Sequence, residues 1–239
     1  MRPLLLLALI AACQPPPPPC ARDPRSVPLG IPLNVTLEAD SAVPAQELAA
    51  VDQALDDWAR CAEVSLYVHR RPPRALPAPF PQSPAQLEHA DVDKATQLLT
   101  APLGALLRQV ALPGPYVAVA VLPDLAPPSS AASLVLPELV GLGLPATLTP
   151  SANAPQLPEP RAPVVLLSAR QLRALTPTAR ASAVGHELGH ALGLNHDARP
   201  CNLMAATADC GVGWLDARQG TAVRSATGSS PAAPRASSH

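Results

Sequence analysis

Aromatic residues are scarce in this chain: two Trp, two Tyr and one Phe among 239 residues. Any core must therefore be built mainly from Leu, Val and Ala. Charge of one sign is lacking too. A net charge of −1 gives no basic surface with which to hold nucleic acid. The one leader-like apolar run, Leu4 to Ile10, falls well short of the roughly 20 residues that span a bilayer. There is no C-x-x-C pair, which argues against a thiolate zinc site. There is no internal repeat, and no compositional break that marks a second domain. Proline, by contrast, is abundant. Thirty-three of them break the middle of the chain into loops and extended pieces, above all from Arg71 to Pro84, Pro123 to Pro128 and Pro145 to Pro163.

Against this background one segment stands out. Residues 186–197 read HELGHALGLNHD, placing His186, Glu187, His190, Gly193 and His196 in the pattern H-E-x-x-H-x-x-G-x-x-H. Half of the six histidines fall within these eleven residues. On a helix each residue advances by about 100°, so His186 and His190 lie roughly 40° apart, one turn from each other. Glu187 lies beside them, where a carboxylate reaches a water on the metal more readily than the metal itself. Ala181, Val184, Leu188, Ala191 and Leu192 form an apolar stripe on the opposite side, ready for burial. Gly193 suits a left-handed residue ending the helix, after which the chain can turn back and present His196. Three imidazoles leave a fourth zinc position for water, the layout of a catalytic rather than a structural site. Glu187 is then the expected general base.

Other elements follow from periodicity. Leu48, Val51, Leu55, Trp58 and Ala62 share one helical face, with Pro44 near the first turn. Strands are expected at 34–37, 64–68, 116–122 and 164–167, and helical pieces at 88–99 and 103–110. The motif helix should start after Thr176-Pro177 and run to about Leu192, and a last helix should cover 215–224.

The motif resembles the zinc signature of the metzincin metallopeptidases, and most closely that of the matrixins, the matrix metalloproteinase type. Metzincins carry a Met-turn soon after the third ligand, and Cys201-Asn202-Leu203-Met204 follows here, with Met204 one of only two methionines. The helix of form A-x-x-x-W followed by an apolar strand resembles the opening of a matrixin catalytic domain. One feature departs from the matrixin pattern, and another separates the chain from other metzincins. Asp197 follows the third His, as in adamalysin-like members, where matrixins usually have Ser; and no Tyr lies near Met204, unlike astacin- and serralysin-like members. The resemblance implies an α+β, zincin-like fold: a twisted mixed sheet, a packed N-terminal helix, the zinc helix and a C-terminal helix. It also implies an edge strand over the cleft, for which the segment 140–148 is the candidate. The implied activity is zinc-dependent hydrolysis of internal peptide bonds in a protein or peptide substrate, with His186, His190 and His196 holding Zn²⁺ and Glu187 moving protons. Asp197 is expected to orient the third ligand or the Met-turn by hydrogen bonding. The rival is a zinc-holding surface protein that binds or adheres without cutting; such a site would have no need of Glu187.

The N-terminus points to export. Arg2, the Leu4–Ile10 core and Ala11-Ala12-Cys13 resemble a bacterial lipobox whose cysteine, Cys13, becomes the lipidated first residue. An ordinary secretory signal is the alternative. Pro15 to Pro19 would form a stiff polyproline spacer. Residues 1–13 are thus expected to be signal peptide and lipobox, 14–30 a Pro-rich tether, 31–227 the catalytic domain and 228–239 a disordered tail. A monomer is expected on the outer membrane or cell surface, meeting the membrane only through its lipid, or else secreted. Cys20, Cys61, Cys201 and Cys210 remain, an even number with three possible pairings. Cys201–Cys210, bracing the loop of Met204, and Cys20–Cys61 are preferred. A prodomain-type switch, with Cys20 on the metal, ranks below them.

Overall fold

The computed structural model describes residues 19–21, 23–79, 92–111, 114–125, 140–146, 162–205 and 210–228, without the side chains of 92–100. The expected leader with Cys13, most of the polyproline spacer and the tail beyond 228 lie outside the described residues.

Five strands form one sheet: β1 (Pro32–Ala39), β2 (Ser65–Arg70), β3 (Val117–Leu122), β4 (Gly141–Leu144) and β5 (Val164–Ser168), in the order β2-β1-β3-β5-β4. All neighbours are parallel except β4, which runs antiparallel to β5 at one edge. The sheet is therefore mixed, with its antiparallel edge strand inside the segment 140–148. Among the described residues five helices accompany it: α1 (Ala45–Ala62), α2 (Val92–Val110), α3 (Ala169–Ala174), α4 (Pro177–Ala191) and α5 (Ala217–Ala226).

Alternation along the strands sends side chains to two cores. Leu33, Val35 and Leu37 of β1, Val117, Val119 and Val121 of β3, and Val165 and Leu167 of β5 pack with Val51, Leu55 and Trp58 of α1 and Val184 and Leu188 of α4. Ala118, Ala120, Leu122, Val164 and Leu166 pack instead with Leu103, Leu106, Leu107 and Val110 of α2. Because both faces are covered, β3 (VAVAVL) and β5 (VVLLS) are buried at every position and need no polar alternation. At the other edge β2 does alternate, and its Tyr67 stays 60% exposed.

Pro44 lies beside the first turn as expected, as the N-cap of α1 in extended conformation, one residue outside the helix. Two other local features differ from expectation. The pieces expected at 88–99 and 103–110 belong, from residue 92 on, to a single helix, α2, with Pro102 inside it; 88–91 lie outside the described residues. Proline removes one helical N–H, but burial of Leu103, Leu106, Leu107 and Val110 along one stripe holds the helical course past it. Residues 19–30, expected as tether, pack onto the domain. Ala21 N–H donates to Val212 O and Val27 N–H to Leu215 O, Leu29 is buried, and Cys20 is disulfide-bonded to Cys61. The packed unit therefore includes residue 19 onward, not 31. The second disulfide joins Cys201 and Cys210, so both preferred pairings are present. Among the described residues no helix is long and apolar enough to cross a membrane.

Candidate metal centre

Helix α4 is defined at both ends by its own residues. Thr176 caps it, its Oγ1 accepting from Ala179 N–H at 3.3 Å, and Pro177 takes the first turn, where no N–H is needed. At the other end Gly193 adopts φ 87°, a conformation that costs an L side chain energy but not glycine. Gly193 N–H then donates to His190 O and Leu194 N–H to Gly189 O, both at 2.9 Å, a Schellman closure. Ala181, Val184, Leu188, Ala191 and Leu192 are all buried, as the stripe required, so the opposite face carries His186 and His190 towards the cleft.

The turn that ends α4 also fixes a histidine ring. The carbonyl of Leu194 accepts from His190 Nδ1 at 2.8 Å, and the carbonyl of Leu203, in the turn before Met204, accepts from His186 Nδ1 at 2.9 Å. Met204 is fully buried beneath the helix, its sulfur against Gly189 in space that a side chain at 189 would claim. Its turn is held by Met204 N–H to Asn202 Oδ1 at 2.9 Å and Ala205 N–H to Asn202 O at 3.0 Å. The loop from Leu194 brings the third imidazole back. His196 lies with its ring centroid 4.7 Å from that of His190 and 5.3 Å from that of His186. One nitrogen from each of the three rings falls within 4.8 Å of the others.

The hydrogen bonds decide which nitrogens are free. A carbonyl oxygen can only accept, so the proton of each neutral helix imidazole must sit on Nδ1, leaving Nε2 a bare lone pair. The two Nε2 atoms of His186 and His190 face each other at 3.0 Å. Two lone pairs at that distance repel, and a cation bound by both, with the nitrogen of His196, relieves the repulsion. Burial, together with repulsion from neighbouring rings, pushes the His186 and His190 imidazoles below the usual histidine range, although the carbonyls pull the other way. Neutral imidazoles are the form that ligates metal. On the chemistry of its donors, the site fits a zinc ion.

Glu187 stands beside these nitrogens without joining them. Burial pushes its carboxyl up to about 7, while the N–H of Gly143, donating to Oε2 at 2.7 Å, pulls partly back. That donor belongs to the edge strand. Ser168 N–H donates to Val140 O, so alternation along the ladder turns the N–H and C=O of 141 and 143 towards the open side. Gly143 is also where β4 lies tightest on α4. A Cβ there would run into the carbonyl of Glu187 and come within 2.7 Å of His190 Cβ, and one at Gly141 would come within 2.5 Å of Glu187 Cγ. The role of these glycines was not anticipated from sequence. The available signal was two glycines alternating with leucines in a short strand, a mark of close backbone approach.

Asp197 does not bond to the ring of His196. Its carboxylate accepts from Arg199 N–H at 2.9 Å and from Arg199 Nε at 2.8 Å, while its own backbone N–H donates to Met204 O at 2.9 Å. The Arg199 guanidinium holds the Asp197 carboxyl down at about 2. Cys20 is in a disulfide, which excludes it as a thiolate on the metal in this state.

No protein-family model and no curated protein matches this sequence. Among solved structures the chain is similar to the crystal structure of archaemetzincin from Methanopyrus kandleri, at 17% identity and a TM-score of 0.47, covering 81% of this chain and 94% of that one. A likeness of that degree does not bear on activity.

Proposed function

We propose that this chain is a zinc-dependent metalloendopeptidase of metzincin type, most like the matrixins, exported and held on a bacterial membrane through lipid on Cys13. The observation that carries the reading is the convergence of three imidazoles, two of them locked with bare Nε2 atoms, beside the half-buried carboxylate of Glu187, which is not among them. His186, His190 and His196 would hold the metal, which when bound supplies a Lewis acid that acidifies water and draws charge from a substrate carbonyl. Glu187 accepts the proton of the attacking water as its oxygen adds to the carbonyl carbon. The same carboxyl then delivers a proton to the amide nitrogen as the C–N bond breaks. A carboxyl held near neutrality is suited to both transfers. An extended peptide is the matching substrate, because the open edge of β4 offers the backbone N–H and C=O of Gly141 and the C=O of Gly143 to an added strand, the N–H of Gly143 being taken by Glu187.

Chelation tests the reading. The mature chain should cleave unfolded protein at internal bonds, lose that activity with 1,10-phenanthroline, and regain it on adding zinc. Zinc bound without cleavage would favour a binding protein instead. A second expectation concerns the edge strand. Gly143→Ala should lift β4 from α4 and misplace Glu187, and a displacement of about 1 Å can cost about 10²-fold in rate. Zinc content should stay at the wild-type level. Steady-state kinetics beside metal analysis separate these; an unchanged kcat would remove Gly143 from the catalytic arrangement.

A further inference from the structure

His186 and His190 are each fixed twice, by a rigid helix and by a carbonyl on Nδ1. His196 has neither support. It is exposed and lies on a loop, and among the described residues no group hydrogen-bonds its ring. Its place must come from the backbone that carries it. We propose that Arg199 is the positioning residue for His196, acting through Asp197 and anchored on Asp216 and Trp214. This rests on the reading of the three histidines as metal ligands.

The hydrogen bonds form a closed circuit. Asp197, adjacent to His196, accepts from the Arg199 backbone and side chain. The same guanidinium donates to Asp216 Oδ2 at 2.6 Å. Asp216 is the N-cap of α5 and exchanges bonds with Gln219, at 2.8 Å and 3.0 Å. Gln219 in turn pairs with Asn202 in both directions, its Oε1 accepting at 2.8 Å and its Nε2 donating at 3.0 Å. Asn202 Oδ1 accepts Met204 N–H, and Met204 O accepts Asp197 N–H. The circuit thus returns to the residue next to the ligand. Among the described residues Arg199 is the one side chain that joins its two halves, the His196 loop and the α5 cap with the methionine turn. The guanidinium also lies over the ring of buried Trp214, 5.2 Å from its centroid, and the backbone of Trp214 bonds to Leu203 and Cys201 of that same turn.

An isolated exposed ion pair contributes little. A planar guanidinium shared by two carboxylates and stacked on indole does more, because it fixes direction as well as distance. Lysine offers a point charge without the fork or the stacking plane, so it cannot replace arginine here. Interactions that orient a ligand typically account for about 10- to 100-fold in metal affinity.

The test measures zinc affinity of the full mature chain by competition with a chromophoric chelator, beside the melting temperature of the zinc-free protein. Arg199→Ala and Arg199→Lys should each weaken zinc binding by about 10- to 100-fold. Arg25→Ala is the control. Arg25 lies over the same Trp214 ring, at 4.9 Å, but pairs with Asp23, so zinc affinity should stay within about twofold of wild type. A merely structural role would lower the melting temperature in Arg199→Ala and leave zinc affinity intact, and that result overturns the proposal. Should Arg199→Ala fail to fold, Asp216→Asn decides. Asparagine still caps α5 but removes the charge that anchors Arg199, and unchanged affinity in that variant would overturn the assignment equally. A wild type that binds zinc yet cuts nothing would defeat the peptidase reading, while the affinities would still judge Arg199. A wild type that binds no zinc defeats both.

Discussion

Glu187→Ala should retain zinc at the wild-type level and cleave protein substrate about 10²- to 10⁴-fold more slowly, the usual contribution of a positioned acid–base group. Zinc retention follows from geometry. Among the described residues only the three histidines form a cluster able to hold a metal, and Glu187 is outside it. The rate loss follows from placement: the carboxylate is half-buried, next to His186 in sequence, and aimed by Gly143 N–H. The defect should fall on kcat rather than KM, because the proton transfers belong to the chemical step. Glu187→Gln should behave alike, since the amide keeps the shape but cannot take the proton. Kinetics with parallel zinc analysis make the check. A variant that loses zinc together with activity would instead place Glu187 among the ligands.

His190→Ala should weaken zinc binding by about 10²- to 10³-fold. His190 is the nearest neighbour of both other rings, with Nε2 3.0 Å from that of His186 and ring centroids 4.6 Å and 4.7 Å from those of His186 and His196. Dividing about 10–16 kcal/mol for a structural zinc site among four ligands gives about 3–4 kcal/mol each, on the order of 10²–10³ in affinity. The substitution also leaves Leu194 O without the imidazole that donates to it, loosening the turn that leads to His196. Competition with a chelator of known affinity measures the loss. Adding imidazole should restore part of the binding, because the vacated space lies within an otherwise intact pair of ligands. Wild-type affinity in this variant would place the metal elsewhere.

The features legible in the sequence were those written in local code. The spacing of His186, His190 and His196 gave the cluster, because helical pitch alone sets the first pair, and Gly193 marked the turn that brings the third. Strands β3 and β5 were legible as short apolar runs. Other features depended on long-range packing. Residues 19–30 read as a spacer because proline dominates the stretch just before them, whereas their attachment comes from bonds to 212 and 215, far along the chain. The helical stretches expected at 88–99 and 103–110 left a gap that the helix in fact crosses at Pro102, because a buried stripe outweighs one missing N–H. Helix α3 had a signal that went unused: Ser168 and Gln171 stand three apart in S-x-x-Q, and the Ser168 side chain does accept from Gln171 N–H at 3.2 Å. The bond from Gly143 to Glu187 spans 44 residues, and no local pattern encodes that pairing.

The zinc content of the purified mature chain, after equilibration with zinc and removal of excess, tests the central claim most directly. One zinc per chain is expected, with three nitrogen neighbours by X-ray absorption, and no such binding in the variant lacking His186, His190 and His196 together. A chain that stays free of metal under those conditions, or keeps its zinc when all three histidines are replaced, would contradict the account.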